Sequence, residues 1–290
     1  MIGTVSIGPS PAIPKVPGLT AGLGYLSQAS ERPYNYMFEP PGGAPWCNCE
    51  YRLTPVWIAD ARARASPPTI DLDGFELCDA PTSMLDFRDV DALRTLYYPE
   101  SAELAKYLTG AEQAFVFDHA VRRRTAGRPA LHFGREGDGT HPTAVGRVHT
   151  DYSEDSGQKR LEIVVSDAKA RSQVGRFAIV NIWRSIRGKV LDTPLGLCDA
   201  RTISARDLVV SDLIYPHRTG EIYLVQHSSR HQWAYFSEMD KHEALVFKQY
   251  DSQVSGVARF TPHAAFDLPD IPRDAPYRES IEIRCLVTYG

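Results

Sequence analysis

The chain has 290 residues, 43% of them hydrophobic and 23% charged, which is the balance of a globular protein and not of a disordered, collagen-like or coiled-coil one. That length fits one large all-β unit or one domain with a helical extension. Lys and Arg total 32 against 36 Asp and Glu, a net charge of −4 that leaves no electrostatic footprint for binding nucleic acid.

From the N-terminus, MIGTVSIGPSPAIPKVPGL lacks the basic and apolar regions of a signal peptide. Residues 1–50, rich in Pro, Gly and Tyr, read as an extended wrapping arm with little regular structure, and 51–290 as a single domain. Cys47-Asn48-Cys49 is too tight for a zinc hook. With Cys78, Cys198 and Cys285 it forms an odd, scattered set that argues for a reducing, cytoplasmic setting. Short strands are expected at 56–58 and 69–77. Residues 89–110 read as a helix in two pieces, with Pro99 opening the second and Gly110 ending it. A strand at 114–117 leads to Arg122-Arg123-Arg124, read as a solvated turn.

Residues 125–150 are loop-rich, with Gly127, Gly134, Gly137 and Gly139, until a strand at 144–148 runs into His149. Ser156 is a candidate cap for a helix over 157–173 that Gly175 stops. A β-branched and aromatic strand follows at 176–183. Strand-like runs then recur at 207–214, 221–225, 232–236, 244–247, 258–260 and 278–288. No run of 18 apolar residues interrupts the series, so no membrane span is expected. The pattern predicts a mainly β protein with packed helices, built on a double-sheet jelly roll, the double-stranded β-helix.

His149-Thr150-Asp151 is the most informative tripeptide. Residues i and i+2 of an extended chain point the same way, so an imidazole and a carboxylate can converge on one divalent cation. A second His would complete the facial set of non-haem Fe(II) oxygenases. His217, His227, His231, His242 and His263 are the candidates; His217 and His242 sit in polar, solvated contexts. His263 ends a strand-like run, and fifteen residues later Arg278-Glu279-Ser280 opens the last strand. Arg278 and Ser280 face the same way there, where a guanidinium and a hydroxyl can clamp a carboxylate.

With these residues in this order the chain resembles the Fe(II)/2-oxoglutarate-dependent oxygenases. It is most similar to the hydroxylase/desaturase family that includes a fungal gibberellin desaturase and the cephamycin 7-hydroxylase component. The likeness runs from about residue 50 to the C-terminus. It is carried by VFDH at 116–119, VHTDY at 148–152, NIWR at 181–184, PLGLCDA at 194–200, YDS at 250–252, ARFTPHAAF at 258–266 and PYRESIEIR at 276–284. The resemblance implies a double-stranded β-helix core, with His149, Asp151 and His263 as iron ligands and Arg278 and Ser280 holding 2-oxoglutarate. It implies Fe(II), 2-oxoglutarate and O₂ oxidising an unactivated C–H bond of a small molecule in secondary metabolism, by hydroxylation, desaturation or cyclisation. No side chain is assigned a catalytic role beyond the metal ligands, and no nucleic-acid or membrane partner is expected.

His149 and His263 are 114 positions apart, longer than in many small members of the superfamily, which keeps His227 or His231 open as the third ligand. Asn181, Trp183, Arg184, Tyr152 and Trp233 are candidate substrate contacts; Trp183 and Arg184 must point to opposite faces of their strand. A metal-dependent isomerase or oxidase without 2-oxoglutarate would keep the triad but not need Arg278. A non-catalytic jelly-roll binding protein would need neither. A serine hydrolase or nucleotide enzyme is disfavoured, because G-x-S-x-G, G-x-G-x-x-G and the phosphate-binding G-x-x-x-x-G-K-[ST] are missing.

Overall fold

A computed structural model describes residues 16–27, 29–131 and 142–290. Within them the strands are β1 (Gly18–Leu26), β2 (Tyr34–Tyr36), β3 (Tyr51–Asp60), β4 (Phe75–Asp79), β5 (Gln113–Arg123), β6 (His149–Thr150) and β7 (Arg176–Ser185). They continue with β8 (Leu195–Cys198), β9 (Leu208–Tyr215), β10 (Arg218–Val225), β11 (Trp233–Tyr235), β12 (Glu243–Asp251), β13 (His263–Ala265) and β14 (Glu279–Tyr289). They form a nine-stranded sheet in the order β1-β3-β11-β8-β13-β6-β10-β9-β2 and a five-stranded sheet in the order β4-β12-β7-β14-β5. The mainly β jelly roll with packed helices is the fold observed.

Alternation along the strands decides what each face packs against. On β7, Trp183 turns inward and meets Leu245 and Phe247 of β12, with Leu195, Leu197 and Ala234 of the other sheet opposite. Its neighbours Ala178, Val180 and Ile182 turn outward and, with Ile281, Ile283 and Cys285 of β14, are covered by Leu93, Tyr97 and Ala105 of the helical layer. Because β7 is buried on both faces, its sequence is a near-continuous apolar run and not an alternating one. Fully burying each Leu, Ile or Phe of this kind contributes roughly 1.5–3 kcal/mol.

The helical layer begins at α1 (Val90–Ala92), where the Asp89 carboxylate accepts from the N–H groups of Asp91 and Ala92. A π-helical turn, Leu93–Tyr97, joins it to α2 (Tyr98–Thr109), which has Pro99 in its first turn and ends at Gly110 with φ 67°. These are the two expected pieces. The helix expected over 157–173 differs. Ser153, not Ser156, is the cap of α3 (Glu154–Val164): each serine hydroxyl accepts from the other's backbone N–H, at 3.2 and 2.9 Å. The helix stops at Val165, and Asp167 caps a separate α4 (Ala168–Ser172).

The N-terminal arm is less irregular than its composition suggests. β1 pairs with β3 along its whole length, from Gly18 opposite Ala59 to Leu26 opposite Tyr51, and β2 pairs with β9. Gly24 and Leu26 then bridge to Arg147 and Gln226, so the large sheet curls back on itself. The curl encloses Leu23, Tyr25, Ile58, Val148, Cys198, Trp233 and Phe266. Three further expectations change. The strand at 69–77 is β4 at 75–79, preceded by a turn, and 258–260 is not a strand. Arg122 and Arg123 belong to β5. Gly134, Gly137 and Gly139 lie outside the described residues.

Candidate metal centre

β6 and β13 are neighbours, and His149 and His263 are direct partners across them. Partners on antiparallel strands project to the same face. His263 is also opposite Leu197, an inter-sheet core residue, and its ring lies 4.9 Å from Phe247 of the facing sheet. Both imidazoles therefore point between the sheets, their centroids 4.4 Å apart. Asp151, two residues beyond His149, returns to the same side. One ligand atom from each of His149, Asp151 and His263 lies within 4.8 Å of the others, a cluster able to hold one metal ion.

The backbone selects the ligating nitrogens. His149 Nδ1–H donates to the carbonyl of Arg147 at 2.9 Å, and His263 Nδ1–H to that of Thr261 at 3.2 Å. Each ring is left with Nε2 as its lone-pair nitrogen. Burial first, then the nearby His263, pushes the His149 imidazole down to about 4, so it is neutral and ready to ligate at physiological pH. Burial alone would raise the Asp151 carboxyl, but the Arg284 guanidinium and the two imidazoles hold it well below the usual carboxylate range. Its Oδ1 is 3.5 Å from His149 Nε2. Its Oδ2 accepts from Asn181 Nδ2 at 2.8 Å and Arg284 Nε at 3.2 Å.

Arg278 and Ser280 lead into β14, on the sheet facing the two histidines. Both are buried, at 4% and 1% exposure. One Arg278 nitrogen donates to the Thr193 carbonyl at 2.9 Å, and the guanidinium lies 5.6 Å over the Trp183 ring. Arg278 Nε and Ser280 Oγ have no hydrogen-bond partner among the described residues. Burial, and then the nearby Arg122, lower the Arg278 guanidinium to about 10. A buried donor left unmet costs about 1–3 kcal/mol, more when charged. Two such donors side by side fit an incoming carboxylate, and the donor set of two imidazoles and a carboxylate fits Fe(II).

The remaining candidates separate. Asn181 touches the Asp151 carboxylate, and Trp183 lies beneath Arg278. Arg184 turns to the helical layer, where it donates to the Tyr97 hydroxyl at 3.0 Å and the Lys241 carbonyl at 2.7 Å. Strand alternation puts it on the face away from Trp183. Trp233 is paired with Cys198, one residue out of step with inward-facing Leu197, so it faces the curl of the large sheet. There its indole donates to the Tyr25 hydroxyl at 2.7 Å. Tyr152 packs with Leu161, Phe177 and Tyr250 beneath α3. His231 contacts the same Tyr25 hydroxyl at 2.9 Å and Asp207 at 3.3 Å, and His227 edges the Tyr25 ring. Neither is in the cluster with His149 and Asp151.

Several polar residues around the centre were not singled out in the sequence. Gln249 accepts from the Asp151 N–H at 2.7 Å. Arg124, read as part of a solvated turn, is buried and holds Asp267 at 2.8 Å and Thr193 at 3.1 Å, next to Arg278. Glu282 and Arg284 had a signal: they continue the spacing of Arg278 and Ser280 on one face of β14. Ala265 and Arg147 each lie two residues from a histidine along its own extended segment, Ala265 after His263 and Arg147 before His149, and so return to the histidines' side. They open into a cavity of about 480 Å³, walled also by Gly22, Gly24, Leu53 and Leu131. That is a usual size for a small-molecule site.

Two imidazoles and a carboxylate on one face of a jelly roll, opposite a buried guanidinium, define a mononuclear metalloenzyme of the double-stranded β-helix class. The family model "Oxidoreductase/YMDC permease-like domain" matches residues 23–288. The hydroxylase/desaturase efuI of Hormonema carpetanum is 30% identical over 255 residues, covering 82% of this chain and 84% of its own. The alpha-ketoglutarate-dependent dioxygenase phiK of a fungal species is 32% identical, with the same coverage of 82% and 84%. The solved structure of the iron and alpha-ketoglutarate-dependent endoperoxidase NvfI superposes with a TM-score of 0.81 at 25% identity, over 94% of this chain and 98% of that one. The chain belongs to the hydroxylase/desaturase family of Fe(II)/2-oxoglutarate-dependent oxygenases. It is a non-haem dioxygenase that uses Fe(II), 2-oxoglutarate and O₂ to oxidise a small molecule of secondary metabolism. No helix among the described residues is long and apolar enough to cross a membrane.

Proposed function

We propose that His149, Asp151 and His263 hold the Fe(II), that Arg278 and Ser280 hold the far carboxylate of 2-oxoglutarate, and that the substrate is seated in the cavity beyond Ala265 and Arg147. The observation that supports this most is the pairing of a convergent His-Asp-His cluster with two buried donors lacking a partner among the described residues. When bound, iron with 2-oxoglutarate and O₂ supplies an oxidant strong enough for an unactivated C–H bond, with CO₂ and succinate as co-products. The chain's own part is positional. Arg147 and Thr261 carbonyls fix the imidazole tautomers. Trp183 and Thr193 hold the Arg278 guanidinium, and the apolar walls exclude water. No side chain is given an acid or base role. Hydroxylation, desaturation and cyclisation all begin with the same hydrogen removal, and the cavity serves any of them.

We also propose one oxygenase domain over 51–290, to which the described part of the arm adds β1 and β2. A cytoplasmic setting is in keeping with five free cysteines. The net charge of −4 is in keeping with a partner that is neither nucleic acid nor a membrane surface. The test is anaerobic titration of metal-free protein with Fe(II) and then 2-oxoglutarate, following the weak visible band of the iron–keto-acid chelate. Asp151→Ala should abolish the band, and Arg278→Ala should need at least about tenfold more 2-oxoglutarate, the 1.4 kcal/mol or more expected of a charged hydrogen bond. Iron binding without any chelate band would sink the cosubstrate assignment, and a normal band in Asp151→Ala would sink the ligand assignment.

A further inference from the structure

We infer that Arg284, with Asn181, fixes how many oxygens Asp151 can offer a metal: they occupy Oδ2, so that only Oδ1 is available. The inference rests on the proposed ligand set and concerns residues outside it. Asn181 and Arg284 are direct partners across β7 and β14, so they share the face that meets Asp151. Both donate to Oδ2, whereas Oδ1 is the oxygen nearest His149 Nε2. The Asn181 amide is fully buried, and its orientation follows from chemistry, since a carboxylate can only accept.

Arg284 is itself held from behind. Its other two nitrogens donate to Asp118 Oδ2 at 2.8 Å and Glu282 Oε1 at 3.0 Å, which leaves Nε aimed at Asp151. One guanidinium is thus gripped by three carboxylates, one on each nitrogen. A planar fork spreads its donors over three nitrogens in fixed directions; a lysine ammonium carries all of its donors on one nitrogen.

The consequence is a positioning role. A carboxylate that binds through one oxygen leaves a three-residue site with open positions, two of which the 2-oxo acid end of 2-oxoglutarate requires. A carboxylate freed to bind through both oxygens would take one of the three positions left on a six-coordinate metal, so the 2-oxo acid end would have to displace it or use the only two that remain. Releasing Oδ2 also returns electron density to the ligand, so metal binding would not suffer as 2-oxoglutarate binding does. A merely structural arginine would weaken both together.

The experiment is calorimetric titration of metal-free protein with Co(II), then of the Co(II)-loaded protein with 2-oxoglutarate. Circular dichroism in the aromatic region checks the fold. In Arg284→Gln the 2-oxoglutarate Kd should rise about tenfold, while the Co(II) Kd stays within about threefold, less than the roughly tenfold or more by which outer-sphere substitutions usually weaken metal binding. Arg284→Lys should fall between the two. Asp118→Asn, at a half-exposed side chain, should shift the 2-oxoglutarate Kd the same way by a smaller factor and covers the case that Arg284→Gln does not fold. An unchanged 2-oxoglutarate Kd in the folded variants, or both constants moving together, would overturn the inference. Asp151→Ala separates the two levels. Undiminished Co(II) binding there removes the ligand assignment itself, whereas lost Co(II) binding alongside normal Arg284 variants removes only the role of Arg284.

Discussion

His149 shows how a single residue is tuned by its surroundings. Its Nδ1 proton is committed to the Arg147 carbonyl and its ring is buried, so the charged form is disfavoured in the fold. In the unfolded chain the imidazole titrates near 6.5. Above that pH neither state is protonated and the shift has no effect. As pH falls below it, the unfolded state takes up a proton that the native state refuses until about 4, and stability is lost across that window. Asp151 acts lower: its depressed carboxyl contributes stability above the ordinary carboxylate range and loses it only below. Urea midpoints of the metal-free protein should therefore fall steadily from pH 7 to 4.5. His149→Gln should flatten part of that fall; the rest comes from His231, which burial shifts the same way. A flat profile in the parent protein would contradict the burial of a neutral His149. The metal-ligand pattern was legible because H-x-D needs only local geometry. The fate of Arg184 was not, because which face of β7 meets the core depends on the facing sheet.

At the scale of elements, β14 carries the chemistry on one face and the core on the other. Arg278, Ser280, Glu282 and Arg284 line the interior while Ile281, Ile283, Cys285 and Val287 meet the helical layer. Period-two alternation made the Arg278–Ser280 pair readable. The turn before β4 was not readable as a turn, because Thr69–Leu77 is apolar enough to pass for a strand. It depends on Gly74, at φ 92°, where an added Cβ would lie 2.3 Å from Thr261 Oγ1. The Gly74 carbonyl accepts from that hydroxyl and from the Lys248 N–H. Gly74→Ala should destabilise by about 1–3 kcal/mol from backbone strain, with the clash added. Gly110→Ala, also left-handed but with open space around it, should cost less. Chemical denaturation of the two variants checks the order. Because the Thr261 carbonyl also accepts the hydrogen bond from His263 Nδ1–H, Gly74→Ala should weaken metal binding and Gly110→Ala should not.

Among the described residues, apolar side chains gather between the sheets, beneath the helices and inside the curl of the large sheet. The metal centre sits where the first of these is interrupted by polar groups. Buried Arg278 and Ser280 and the clustered ligands are destabilising in the ligand-free state, so ligands that meet them should stabilise the fold. A ligand at a hundredfold excess over its Kd adds about 2.7 kcal/mol, or about 5 °C in Tm for a chain this size. Scanning calorimetry with Mn(II) alone and with Mn(II) plus 2-oxoglutarate should give two successive increments. Arg278→Ala should keep the first and lose most of the second. A second increment that survives the substitution would place the cosubstrate elsewhere.

The sequence by itself determined the mainly β architecture, the helix at 89–110, the convergence of His149 with Asp151, and the Arg278–Ser280 pair. All of these follow from periodicity or spacing within a few residues. Tertiary structure decided what depends on partners far along the chain. It made His263 the neighbour of His149 through β6–β13 pairing and sent Trp233, His227 and His231 to the other face of the large sheet. It drew the N-terminal arm into that sheet as β1 and β2. It also brought Arg284 and Asn181 from two strands of the opposite sheet onto one oxygen of Asp151. Strand pairing supplies contacts between residues more than a hundred positions apart, and no local pattern encodes which strands will meet.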